Sequence, residues 1–329
     1  MAPRRLIFLP IMALLIVGPS AGEISALKLL KTIPLPGVTG RFDHFALDIK
    51  GNRLFVAALG NNTLEAIDLT AGKRVQTIPG LGKPTGVLFL PDLKRLFVAC
   101  GDDGNVRVFN GDTLRLLKTI SGLEDADNMR LDTKAELIYV GYGSGALAMI
   151  HAAKADTIGN IKLAGHPESF QLEKNGRRIF INIPDAQHIA VVDRGRGAVE
   201  ATWPTADFKA NFPMALDEAN HRLFVGCRNP ARLVVFDTEA GKRVADIGIS
   251  GDIDDLFYDA AGRCLYASCG EGFIDIIAQK DINRYERVER IVTAPGARTA
   301  FFSPELKNFY LAVPERGVQK AEISVFLVK

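Results

Sequence analysis

The chain has 329 residues, 47% hydrophobic and 24% charged, which is enough apolar material for a sizeable core. Its net charge of +2 comes from interspersed acids and bases. Composition therefore offers no electrostatic footprint for nucleic acid or an anionic membrane.

At the N-terminus, Arg4 and Arg5 precede an apolar run from Leu6 to Val17, and small residues follow through Gly22. This is the pattern of a secretory signal peptide, with cleavage expected after Gly22. The run is shorter than the roughly 20 residues a spanning helix needs, and no later segment is long and apolar enough to span. The expectation is a removed segment 1–22 and a mature domain 23–329, periplasmic in a bacterium or secreted, and monomeric.

From Asn52 onward one phrase recurs, an apolar tetrad beginning at Leu54, Leu96, Ile138, Ile179, Leu223, Leu265 and Phe309, at intervals of 41 to 44 residues. Each copy has the same grammar. A short apolar strand such as HFALD precedes it and a turn rich in Asp, Gly, Asn or Lys leads in. A third strand such as TLEAID or RLVVFD follows, and a Thr-Ala-Gly-Lys type of turn opens a fourth, KRVQTI or LRLLKTI. Alternating runs of β-branched and aromatic residues between turn residues predict strands. Four strands per period of about 40–45 residues predict a β-propeller blade.

After the seventh phrase only one more strand, AEISVFLV, remains. Before the first, Leu29 to Ile33 repeats letter for letter the LLKTI of Leu116 to Ile120, a fourth strand. The N-terminal segment is therefore expected to complete the last blade and close a seven-bladed, all-β ring. Four cysteines in an exported chain invite disulfides. Yet Cys100, Cys227 and Cys269 occupy equivalent places in different sheets, which pack about 10 Å apart, too far for a bridge. Cys264 and Cys269 lie along one strand. Four free thiols are expected.

These repeats resemble the YVTN family of β-propeller repeats, and the mature chain resembles the YncE-like group of exported bacterial propellers. The YVTN position reads LFVA, LFVA, IYVG, IFIN, LFVG, LYAS and FYLA. The resemblance implies the fold; it carries no catalytic motif, since such propellers include binding proteins, scaffolds and a few enzymes.

A site is sought where blades depart from their own consensus. Turns on one face repeat their chemistry, as in LDIKGN and LDEANH, or DLTAGK and DTEAGK. On the other face the residues eleven places before each phrase are Asp43, Thr85, Asp127, Glu168, Phe212, Asp254 and Arg298, and those one place later are His44, Gly86, Asn128, Ser169, Pro213, Asp255 and Thr299. They open the innermost strands and should ring the channel mouth. The ligand-contacting candidates are Arg41, Asp43, His44, Asp127, Asn128, His166, Glu168, Asn211, Asp254, Asp255 and Arg298. An Asp at a strand entrance can equally cap its own loop. No cofactor is assigned; His44, Asp127, His166, Glu168 and Asp254 carry donors suited to a divalent cation.

His151 and His221 are expected in opposite-face turns, and His188 packed at the start of a third strand. Gly141 to Gly145 is a between-strand turn with no helix after it, and Phe208 to Phe212 reads as an insertion between blades, with a small lid as the alternative. The functional expectation is a non-catalytic binding or scaffolding propeller for a small ligand, peptide or partner protein. The alternative is a divalent-metal-assisted lactonase or lyase. An electron-transfer partner has less support, with no haem motif and one Trp.

Overall fold

The computed structural model describes residues 25–329; the expected signal segment lies outside them. Seven four-stranded antiparallel sheets follow one another around a ring. Blade 1 is Phe45–Asp48, Arg53–Ala58, Thr63–Asp68 and Lys73–Pro79, from the channel outward, and blades 2 to 6 repeat that order. Among the described residues no helix is long and apolar enough to cross a membrane.

The apolar phrase is a continuous run, rather than an alternation, because its strand is buried on both faces. Side chains alternate across a strand, and here the two faces meet different neighbours. Leu54 and Val56 pack with Tyr310 and Val325 of blade 7. Phe55 and Ala57 pack with Leu96 and Val98 of blade 2. The same division recurs at every junction, so the apolar core of the described residues is seven clusters, one between each pair of neighbouring blades.

The ring closes as the sequence predicts. Leu27–Pro34 pairs antiparallel with Glu322–Val328 as the outer strand of blade 7, with Leu27 opposite Val328 and Ile33 opposite Ile323. Only Leu27 and Ile33 of this strand are buried; Leu29 and Leu30 stay about half exposed, as do Leu116 and Leu117 of the duplicated motif. All seven outer strands also carry a register shift against their third strand. The repeat therefore extends to backbone irregularities.

The arginine that introduces the phrase has its own task. Arg53 is held by Asp48, Nη2 to Oδ2 at 2.7 Å, and donates to the Gly111 carbonyl of blade 2 at 2.6 Å. Arg95 reaches the carbonyls of Ala152 and Ala153 in blade 3. Arg178, held by Glu173, reaches Thr238 of blade 5. Arg222, held by Asp237, reaches Ile282 of blade 6 at 3.1 Å. Blade 3 has Leu137 at this position, and Arg194 of blade 4 bonds back to Asp132 instead. A guanidinium, always charged and with five donors, suits this bridge between a carboxylate and a neighbour's carbonyl.

One expectation is corrected. Phe208 to Phe212 is neither insertion nor lid, because Lys209–Asp217 is itself the inner strand of blade 5, with a register shift between Asn211 and Met214. Its Asn-Phe-Pro sequence reads as a loop because Pro213 cannot donate to a ladder, and the shift accommodates it. Phe208 is buried against Trp203 and its neighbours.

All four cysteines are free, with Cys100, Cys227 and Cys269 buried. Burial pushes the Cys100 and Cys227 thiols up to about 12. Thiol titration of non-reduced protein is expected to find four reactive groups in denaturant and slow reaction in the native state; a stable intramolecular bridge contradicts the register. Ile33→Ala, in the cluster that joins blades 7 and 1, is expected to cost about 2–4 kcal/mol in denaturant unfolding. Leu29→Ala, on the same strand but exposed, should stay within about 0.5 kcal/mol. Equal effects from the two contradict the closure described.

Candidate functional site at the channel mouth

The candidate positions are held by the strands that build the blade. Asp43 N–H donates to Ala57 O at 2.8 Å, Asp127 N–H to Gly141 O at 2.9 Å, and Glu168 N–H to Asn182 O at 3.0 Å. These bonds continue the pairing of first and second strands one step beyond the regular ladder. Two residues earlier, Lys83, Asp125, Ala210 and Asp252 take the left-handed conformation with φ between 48° and 59°. This sharp entry turn is costly for residues with a Cβ.

The result is one cavity of about 200 Å³, lined by all seven residues of the aligned level from Asp43 to Arg298. Of the predicted set, Arg41, Asp43, His44, Asp127, Asn128, His166, Glu168, Asp254, Asp255 and Arg298 line it. Asn211 does not. Its amide is buried, donating to Asn182 Oδ1 at 2.9 Å and to His188 O at 3.3 Å. Asp255 lines the cavity but also stitches blades together, accepting from Ala300 N–H at 2.7 Å. Thr85 and Thr299 do the same through the carbonyls of Ala126 and Phe42, at 2.7 and 3.1 Å.

Sequence reasoning left out two cationic lining residues, Lys83 and Arg228. Both carry a signal. Lys83 aligns with Arg41, Asp125, His166 and Asp252, thirteen places before each phrase. Arg228 stands five places after Leu223, where the other blades have Gly, Pro or Leu. Its guanidinium lies 4.1 Å from the Phe212 ring centroid, a cation–π stack that fixes its direction.

The mouth has two unlike halves. Toward blades 5, 6 and 7 the charges are paired. Arg298 Nη1 meets both oxygens of Asp252 at 2.6 and 2.7 Å and its Nε lies 3.2 Å from Asp254. Arg228 bonds Asp254 from the other side and donates to Ile253 O at 2.7 Å. Toward blades 1, 3 and 4 compensation is sparse. Arg41 approaches Asp43 at 3.3 Å, and Lys83 Nζ lies 3.2 Å from Asp125. The side chains of Asp127 and Glu168 have no hydrogen-bond partner among the described residues.

Burial, then the proximity of Asp43, lifts the Asp127 carboxyl to about 7. Burial, then Asp254 and Asp43, lifts Glu168 to about 7. Asp43 is raised for the same first reason, with His44 opposing, and burial raises Asp255 well above the usual carboxylate range. Of the predicted metal donors, the structure brings His44 and Asp127 together and adds Asp43; one donor atom from each lies within 4.8 Å of the others. Asp254 is occupied by arginines, and His166 Nδ1 sits 2.7 Å from Gly143 O.

Below the mouth a second chamber of about 370 Å³ follows the channel, lined largely by Phe45, Val87, Phe89, Met129, Phe257 and Phe301. His44 and Asp255 line both spaces. The other histidines lie away from the mouth cavity: His151 Nδ1 accepts from Ala153 N–H at 3.2 Å in its turn, His221 is half-exposed beside Glu239, and His188 is partly buried.

No protein-family model matches the sequence, and no curated protein is similar to it. Among solved structures, a chain from the crystal structure of a mitotic checkpoint complex is similar, with a TM-score of 0.77 over 99% of both chains at 13% identity. That is a likeness of fold, a β-propeller.

The raised carboxyls set a pH dependence. With unfolded values near 4, Asp127 and Glu168 hold protons in the folded chain that the unfolded chain releases between about pH 4 and 7. Stability then falls as pH rises through that window. In chelator-containing buffer, the melting temperature of the wild type is expected to decline from pH 4.5 to 7.5 relative to an Asp127→Asn/Glu168→Gln double variant. Parallel curves contradict the shifts.

Proposed function

We propose that the protein is a binding propeller whose channel mouth takes a small polar ligand carrying positive charge. The observation that carries this reading is the contrast between faces. Seven residues at one aligned level, acidic in four blades and Thr, Phe or Arg in the other three, line a single cavity, while the opposite-face turns repeat the same chemistry. Six carboxylates line the cavity against four permanently charged bases. A cationic group of the ligand would relieve the burial of Glu168 and Asp127, whose side chains accept no hydrogen bond among the described residues. The similarity in fold to a chain of a mitotic checkpoint complex is compatible with a scaffolding role as well. The resemblance to YncE-like propellers and the signal-like N-terminus support an exported, periplasmic setting.

A second reading, the metal-assisted lactonase or lyase, is favoured by the grouping of Asp43, His44 and Asp127 beside Glu168, a carboxyl with an affinity for protons suited to acid–base work.

The test is a calorimetric screen of small amines, amino acids and lactones at pH 7.5. Glu168→Gln, which breaks no hydrogen bond, should weaken a binding amine by tenfold or more, about 1.4 kcal/mol, without loss of stability. Lys50→Ala, in an opposite-face turn, should leave it unchanged. The reverse pattern places the site on the other face; lactone turnover lost in Glu168→Gln favours the second reading.

A further inference from the structure

We propose that Asp43, His44 and Asp127 form a site for one divalent transition-metal ion of the Zn²⁺ class, with Asn128 beside it. The inference deepens the binding reading, resting on the mouth as the functional site, and it names the cation that the crowded half of that mouth takes.

The distances have the form of a cage rather than of a finished hydrogen-bond network. His44 Nε2 lies 3.5 Å from Asp43 Oδ1 and 3.9 Å from Asp127 Oδ1, outside good hydrogen-bond reach. All three donor atoms nevertheless face one another within 4.8 Å. Donors bound at about 2.0–2.2 Å to a common ion stand roughly 3–4 Å apart, so a small contraction of the group suffices. The contrast with Arg298 and Asp252, bonded at 2.6 and 2.7 Å across the same mouth, shows that unmade bonds are not general here.

A second observation points to a ligand independently. Asn128 is 3% exposed, lines the same cavity, and its Oδ1 has no partner. A buried amide oxygen without a donor costs about 1–3 kcal/mol, and a cation or its bound water relieves that cost. Asn128 follows Asp127 directly in the chain, at the blade that supplies one wall of the cage.

The fold also explains how residues of blades 1 and 3 meet across blade 2. At the intervening position blade 2 has Gly86, where a Cβ would stand 2.2 Å from Asp127 O. Only glycine lets the entry loop of blade 3 lean this far inward. Thr85 holds it there through Ala126 O at 2.7 Å. The donor set selects the metal class. Imidazole suits first-row transition ions, whereas a site for Ca²⁺ or Mg²⁺ is built from oxygen alone. Three protein donors leave positions open to water or a ligand group.

The experiment is calorimetric titration of the chelator-treated full chain with Zn²⁺, Co²⁺, Mn²⁺, Ca²⁺ and Mg²⁺, with the visible spectrum of the Co²⁺ form as a geometric readout. One Zn²⁺ or Co²⁺ per chain is expected, at least tenfold tighter than Ca²⁺ or Mg²⁺. His44→Ala and the near-isosteric Asp127→Asn should each weaken it tenfold or more, and Gly86→Ala should weaken it as well. A His151→Ala/His221→Ala variant should not. Transition-ion binding lost in that surface variant but kept in Asp127→Asn overturns the proposal, as does no binding by the wild type at about 1 mM ion, on the order of the weakest specific sites. Repeating the amine screen in chelator separates the two readings. Amine binding that is sensitive to Glu168→Gln without any metal site leaves the mouth as the site and removes only the ion.

Discussion

A four-stranded sheet with two apolar faces cannot be stable alone; each face needs another sheet about 10 Å away. In this chain that requirement is met only around a ring. The tetrad Leu54 to Ala57 serves two neighbours at once, Leu54 and Val56 facing blade 7 and Phe55 and Ala57 facing blade 2. A missing blade would strand two apolar faces rather than one. Closure by Leu27–Pro34 is therefore the constraint on which every other contact depends. Without it the junction of blades 7 and 1 would lose Ile33, and blade 7 would present Glu322–Val328 as an unpaired edge.

Apolar contact fixes how far apart blades stand, but it is non-directional and leaves their tilt and height free. Two polar belts supply direction. On one face, Arg53, Arg178 and Arg222 at the head of the phrase bind a carboxylate of their own blade and a carbonyl of the next, as Arg53 does with Asp48 and Gly111. On the other, Thr85, Thr299 and Asp255 reach backbone groups of the adjoining blade. Because a buried donor or acceptor left unmade costs more than a made one gains, these belts act chiefly by excluding other heights and tilts. Thr85 stands at the same level as the acids Asp127 and Glu168, and Asp255 and Thr299 stand one place later. Structure and site thus share two adjacent levels of the ring.

That sharing decides how much was legible in the sequence. The blade count, the strand order and the N-terminal closure all follow from a repeat that each blade states again, so a misread strand is corrected by six others. Phe208 to Phe212 was misread because blade 5 departs from the repeat where Asn211, Phe212 and Pro213 bend the inner strand. The aligned level eleven residues before the phrase was found by register alone. Register cannot say which way a side chain turns: Asn211 points into the blade and donates its amide to Asn182, whereas Asn128 borders the cavity, the Oδ1 of each being left without a partner. Nor could spacing show that Asp43 joins His44 and Asp127, since their approach depends on the missing side chain of Gly86.

The backbone ladder that places these groups is indifferent to what they are. Asp43, Asp127 and Glu168 each donate a main-chain N–H to the second strand of their blade, and that bond survives any substitution that keeps the strand. The ring can therefore hold at one level a set of carboxylates that would separate if they stood on mobile loops. Mutual repulsion and burial then appear as raised proton affinity in Asp127 and Glu168 instead of as movement. Across the channel, where Arg228 and Arg298 close around Asp254, the same ladder presents a neutralised wall. The ring therefore has one compensated side, at Arg228 and Arg298, and one sparsely compensated side toward blades 1, 3 and 4. The chamber beneath is lined by Phe45, Phe89 and Phe257 together with the polar Arg130 and Gln171.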